Sequence, residues 1–262
     1  MSAPPRPTPR PIAVPAALAV ALLALPLVGL LQRAPWSTLI ERLTSDAILD
    51  AIRVSVIVSV SAAVFCVVLG LPLAWVLARQ DGRLIAALRV LVLLPMVLPP
   101  VVGGTALLFA LGRRGLFGEW LDRWLGVTLP FTTAGAVVAA TFVALPFFVT
   151  TVEAALRDDG AELDEAAAVA GASPWRTFVH VTLPVLRPSI AAGVALSWAR
   201  ALGEFGATIT FAGSLGGRTR TLPVETFLAL EQDPETAVAV SVLLLAISLS
   251  VLAVLRGRWL TR

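Results

Sequence analysis

The 262-residue sequence contains no lysine and no tyrosine, and has one cysteine and one histidine. Each shortage removes a class of chemistry. All twenty basic residues are arginine, so a G-x-x-x-x-G-K-[ST] phosphate loop, whose lysine reaches a nucleotide's phosphates, cannot be built. Cys66 alone supports neither an intrachain disulfide nor a cysteine-based metal cluster. His180 lies in a polar stretch, where it reads as a surface residue. No serine or cysteine stands beside a membrane-embedded base, which leaves an intramembrane hydrolase without its parts. No catalytic residue, metal site or cofactor is therefore expected in this chain.

Charge is scarce as well. Only 14% of residues are charged and 58% are hydrophobic, against about 25% and about 45–50% in soluble domains. The apolar residues fall into runs: Ile12–Leu31, Val54–Ala78, Val90–Gly112, Leu125–Val152 and Thr236–Leu255. A sixth, from Pro188 to Ala212, is interrupted only by Arg200 and Glu204. Each is long enough to cross a hydrocarbon core of about 30 Å as a helix. Helices are the structure that satisfies every backbone group within one segment in lipid. The expected fold is all-α and polytopic, with transmembrane helices over 12–31, 54–78, 90–112, 131–152, 188–212 and 236–255. The Pro-rich residues 1–11 read as a flexible tail and 12–262 as one domain. The first run reads as a retained anchor, because its twenty residues exceed a signal h-region of about 7–15 and Leu30-Leu31-Gln32-Arg33 offers no small-residue cleavage site.

With the N-terminus inside, eleven arginines fall on the cytoplasmic side and seven outside, in agreement with the positive-inside rule. The net charge of +3 is then explained by topology, and nucleic acid is not an expected partner. Membrane lipid is.

Local features add detail. Pro95, Pro99 and Pro100 must bend or break the third span; an ordinary kink and a gate-lining element both fit. Trp120 and Trp124, one helical turn apart, suit a membrane interface on the outer side. Arg200 and Glu204 are four residues apart and share one helix face. They fit either a structural ion pair or a path for an anion, with Gly203 and Gly206 permitting close packing or local unwinding. The polar insert 153–187 reads as two short helices, 161–170 and 174–181. Gly171 ends the first, and Ser173 caps the second with Pro174 at its first position. An acidic cluster, Asp158 to Glu165, suits the start of the first helix and needs no partner to explain it.

Glu165-Ala166-Ala167, Gly171, Val181, Leu183 and Pro184 hold the spacing of E-A-A, three residues, Gly, nine residues, an aliphatic, one residue, Leu-Pro. This resembles the EAA loop of the inner-membrane permease subunits of type I ABC importers, which usually have Ile where Val181 stands. The resemblance implies a cytoplasmic coupling loop that docks on an ATPase: Glu165 meets a basic group, Ala166 and Ala167 permit close approach, and Gly171 sets the turn. It also implies a second copy of this chain, two cytoplasmic ATPase subunits that hold the ATP and magnesium, and a periplasmic or lipid-anchored extracellular binding protein. The stretches Ala199–Thr208, Gly217–Pro223, Leu94–Gly103 and Gly112–Gly115 look like those of permeases for molybdate and tungstate. Arg200, Gly203, Glu204 and Thr208 are the pathway residues this suggests. Sulfate and thiosulfate permeases are similar but tend to carry Tyr where Phe205 stands. A stand-alone channel or carrier would need ionisable groups in several spans and would leave the EAA-like loop without a use.

Overall fold

The computed structural model describes residues 10–169 and 171–259, without the side chains of Arg10, 158–166, 168 and 254–259. Most of the expected tail, residues 1–9, lies outside the described residues. The elements in order are α1 (Arg10–Gln32), α2 (Leu39–Leu43), α3 (Asp46–Arg79), α4 (Arg83–Val97) and α5 (Pro100–Leu111). Then come α6 (Gly118–Leu125), α7 (Thr133–Val169), α8 (Pro174–Thr177), a π-helical turn (Phe178–Thr182) and α9 (Leu183–Leu202). The chain ends with α10 (Gly206–Phe211), α11 (Leu222–Gln232) and α12 (Pro234–Trp259).

Among the described residues, five helical stretches are long and apolar enough to cross a membrane: Pro11–Gln32, Asp46–Arg79, Thr133–Arg157, Pro174–Leu202 and Pro234–Ala253. The pair α4 and α5, bent by 119° at their junction, forms a sixth if it counts as one broken span.

Helices α3, α7 and α9 form the centre. Ala62, Ala74, Ala136, Ala140 and Ala144 are fully buried where they meet. Small residues let helix backbones approach, which lipid-immersed bundles need because lipid tails give no hydrophobic drive for association. Phe148 of α7 keys the three together. A Cβ on Gly70 of α3 would lie 2.6 Å from one edge of its ring, and one on Gly193 of α9 would lie 3.1 Å from the other. By contrast, α1 buries none of its apolar window within the chain. Helix α6 exposes Trp120 and Trp124 and is pinned by Arg113–Asp122 at 2.9 Å and Arg123–Glu119 at 2.6 Å.

Three boundaries differ from expectation. The second span begins at Asp46, eight residues before its apolar run, so α3 is 34 residues long. The insert 153–187 is not a loop of two short helices. Helix α7 runs unbroken for 37 residues to Val169, and Pro174 to Leu202 is one helical stretch. The acidic cluster therefore sits inside a helix and does not start one. The fifth span ends at Leu202 instead of Ala212; residues 203–205 are non-helical before α10.

Candidate functional site

The break in the third span meets the non-helical residues that follow the fifth. Leu98 and Pro99 are extended, with ψ of 134° and 132°, because proline at 99 and 100 removes donors and Pro100 disfavours helix at Pro99. The second break, Gly203 to Phe205, lies against it. A Cβ on Gly206 would come within 2.6 Å of Pro100 Cβ. One on Gly104 would come within 2.9 Å of the Ala207 carbonyl oxygen and 2.7 Å of Thr210 Cβ. Helices α5 and α10 thus pack backbone to backbone.

Arg200 and Glu204 lie at this junction. Arg200 Nη2 and Glu204 Oε2 are 2.6 Å apart, with the carboxylate side chain 1% exposed and the arginine 27%. The expected pair forms, but not along one helix face, since Glu204 lies past the end of α9. Its second oxygen accepts the Ala207 N–H at 2.8 Å, closing the first turn of α10. One carboxylate therefore neutralises the arginine and joins the two helices. A buried pair is sustained by such additional bonds, since its attraction alone does not offset desolvation. Gly203 is exposed, while Thr208 is buried and its hydroxyl has no hydrogen-bond partner among the described residues. Phe205 packs on Phe227 of α11, ring centres 5.0 Å apart.

The EAA-like residues form a helical hairpin. Glu165 and Ala166 lie in the last turns of α7, and their side chains are outside the description. Gly171 has φ of +78°, which L side chains rarely adopt. The Ala172 N–H bonds back to the Ala167 carbonyl at 3.0 Å, the six-to-one bond of a Schellman ending. Ser173 then accepts the Arg176 N–H as N-cap, with Pro174 at the first position. Leu183 and Pro184 follow the π turn, and Pro184 explains it. Its ring would crowd the His180 carbonyl in a regular helix, so the preceding turn widens and the Leu183 N–H reaches Phe178, five residues back. Phe178 anchors this arm edge-on to Trp75 of α3 at 5.0 Å.

Two clusters escape local sequence patterns. At the hairpin end, buried Glu153 of α7 receives Arg89 of α4 at 2.9 Å and Arg157 at 3.1 Å. Both arginines also donate to the Leu77 carbonyl of α3, at 2.9 and 3.2 Å. At the opposite end, Arg42 pairs with Asp233 at 2.7 Å and with Glu235, and donates to Thr236 at 2.8 Å. The spacing Glu153–Arg157 and the Asp-Pro before an apolar run were the available signals. Among the described residues, no group of three or more His, Cys, Asp or Glu side chains could hold a metal.

Hairpin and junction lie far apart, since the 29 residues of Pro174–Leu202 span about 43 Å at 1.5 Å per residue. The part of the chain that matches a known family contains both. Residues 67–261 match the family described as binding-protein-dependent transport system inner membrane component. The chain is 46% identical over 245 residues to the molybdenum transport system permease protein ModB of Mycobacterium tuberculosis, covering 94% of this chain and 92% of the relative. It is 37% identical over 237 residues to the sulfate transport system permease protein CysT of Escherichia coli, covering 88% and 84%. A subunit in the crystal structure of a bacterial alginate ABC transporter, in complex with its pentasaccharide-bound periplasmic protein, superimposes with a TM-score of 0.74 at 17% identity, covering 94% and 91%.

Proposed function

This chain belongs to the family of binding-protein-dependent transport system inner membrane components, and on that premise we propose that it conducts molybdate inward across the cytoplasmic membrane of a prokaryote. It is a translocation subunit, not an enzyme. In the proposed assembly two copies of the chain enclose the path and two cytoplasmic ATPase subunits hold ATP and magnesium. An external binding protein delivers the oxyanion. Each α7–α8 hairpin seats on an ATPase: Glu165 meets a basic group, Ala166 and Ala167 allow close approach, and Gly171, Leu183 and Pro184 fix the hairpin's shape.

The observation that carries the pathway is the Arg200–Glu204 pair where the break in the third span meets the end of the fifth. Backbone that leaves helical form inside a bilayer is tolerated where protein or a water-filled path surrounds it. A tetrahedral dianion needs donors, and a planar guanidinium supplies them in a fork matched to oxyanions. Gly203 leaves the break supple, and Thr208 offers a buried hydroxyl beside it.

Likeness to the mycobacterial molybdenum permease across nearly the whole of both chains supports the substrate. Tungstate shares the shape and charge of molybdate and would travel the same route. Sulfate is smaller, and a path with one cationic group discriminates weakly against it, so the binding protein carries most of the selectivity. Uptake of labelled molybdate into proteoliposomes holding the complex and its cognate binding protein tests this. Uptake should persist under a large sulfate excess, and efficient competition by sulfate would move the assignment to sulfate. An N-in, C-in topology agrees with the arginine asymmetry. In a Cys66→Ala chain, Arg218→Cys should react with an impermeant thiol reagent from outside and His180→Cys should not; the reverse pattern overturns the orientation.

A further inference from the structure

Resting on that reading, we infer that Arg89 and Glu153 are positioning residues: their ion pair makes the bend of the third span follow the coupling hairpin.

Helix α4 is thinly attached. Of its fifteen residues only Ile85 is buried, with Leu88 and Val92 packed partly against the core. Its polar tie is Arg89, whose Nε lies 2.9 Å from Glu153 Oε1 on α7 and whose Nη2 donates to Leu77 on α3. The Leu77 carbonyl is in the last turn of α3, which ends at Arg79. Such carbonyls lack a partner within the helix and carry the negative end of its dipole. Two guanidinium groups and one carboxylate thus satisfy the α3 terminus and join three helices at one point.

The position of that point gives it a consequence. Glu153 lies on the same unbroken helix as Glu165, twelve residues earlier, so a push on the hairpin reaches it along a rigid rod. Arg89 lies nine residues before the extended Leu98, where the span bends by 119°. Past the bend, α5 is locked to α10 through Pro100 and Gly206, and also packs on α7, where Leu107 meets the cluster of Ala139 and Val143. The bent span is therefore strapped to α7 before its hinge and locked chiefly to α10 beyond it. Leu98–Pro99 is the compliant element between the straps. A shift of α7 that carries Arg89 must alter the hinge angle beside Arg200 and Glu204. Without the Arg89 strap, α4 can lag behind and the shift is dissipated.

Arg157 provides the control, because it pairs with the same carboxylate from within α7 and makes no bond to α4. The variants Arg89→Gln and Arg157→Gln each leave Glu153 one guanidinium. In the reconstituted complex, Arg89→Gln should lower binding-protein-stimulated ATP hydrolysis and molybdate uptake about tenfold, a usual size for coupling between sites. Basal hydrolysis and co-purification with the ATPase should stay at wild-type level, and Arg157→Gln should stay within about twofold of wild type on every measure. Spin labels at Leu84→Cys on α4 and Phe109→Cys on α5, both exposed positions, in a Cys66→Ala chain read the hinge directly. Their separation should change between nucleotide-free and ATP-trapped states, and Arg89→Gln should abolish the change. Equal losses in the two arginine variants, a wild-type response in Arg89→Gln, or a label distance indifferent to nucleotide would overturn the inference. So would loss of assembly in Arg89→Gln, which would make the pair a requirement of folding. A wild-type complex that transports another anion defeats only the substrate reading, because the label distances still judge the hinge.

Discussion

Gly206 stands so close to Pro100 that an added methyl group would lie 2.6 Å from the proline Cβ. The contact joins two segments more than a hundred residues apart in sequence. It also gives the junction a steric requirement that its neighbour Gly203 lacks, since a Cβ there would find only the Ala199 carbonyl oxygen at 3.6 Å. Gly206→Ala should force the breaks apart, with an overpacking cost of about 1–3 kcal/mol, and strongly reduce uptake. Gly203→Ala, whose methyl group has room, should lose far less uptake than Gly206→Ala. Equal behaviour of the two in an uptake assay, at matched membrane expression, would remove the contact from the transport path.

Arg200→Gln should abolish most uptake. Removing one partner of a buried pair costs about 3–5 kcal/mol where the remaining charge is left uncompensated, and Glu204 is nearly inaccessible. The double variant Arg200→Gln with Glu204→Gln separates the roles. Glutamine at 204 can still accept the Ala207 N–H without needing a counter-charge. If Arg200 meets the anion, the double variant stays inactive; recovered uptake would assign Arg200 to structure alone.

Substitution at Gly171 tests the hairpin through backbone conformation alone, since nothing lies within 4 Å of a Cβ there. Alanine at φ of +78° should cost about 1–2 kcal/mol, and asparagine, which tolerates that region, less. Co-purification with the ATPase should weaken in the order Gly, Asn, Ala. Glu165→Lys should abolish co-purification while insertion into the membrane continues. Normal binding-protein-stimulated hydrolysis in that variant would sink the docking role.

Asp233 gives an acid-sensitive feature. Bonds from the Thr236 hydroxyl and backbone N–H, with Arg42 adding to them, hold its carboxyl below the usual value of 3.8. A folded pKa below the unfolded one means stability that is complete above the unfolded value and lost as pH falls through the folded one. Asp233→Asn keeps a cap for α12 but cannot titrate. In melts of the detergent-solubilised protein, the wild type's advantage over Asp233→Asn should be steady from pH 7 to 5 and shrink below 3.8. A constant difference down to pH 3 would rule the linkage out.

The apolar runs revealed which segments cross the bilayer, but not where their helices stop. Polarity changes where a helix leaves the membrane, whereas a helix ends where its backbone bonding ends. Residues 153–169 are rich in Ala, Glu and Leu, good helix formers, and α7 continues through them to Val169; the role of Gly171 was legible because left-handed backbone favours glycine. Proline made the bend in the third span legible for a similar local reason. The meeting of Pro100 with Gly206 was not legible, and neither was Arg89 with Glu153, 64 residues apart. Both depend on how the helices pack. Arg200 and Glu204 were legible as a pair because charge is rare in the spans. The carboxylate's second bond, across a helix end, was not.

The π turn at Phe178–Thr182 sets a phase. One additional residue in a turn rotates everything beyond it by about 100° relative to what precedes it. The face that sends Phe178 onto Trp75 and the face that sends Arg200 toward the junction therefore need not share a single helical register. Leu183-Pro184 is the point where one register gives way to the other.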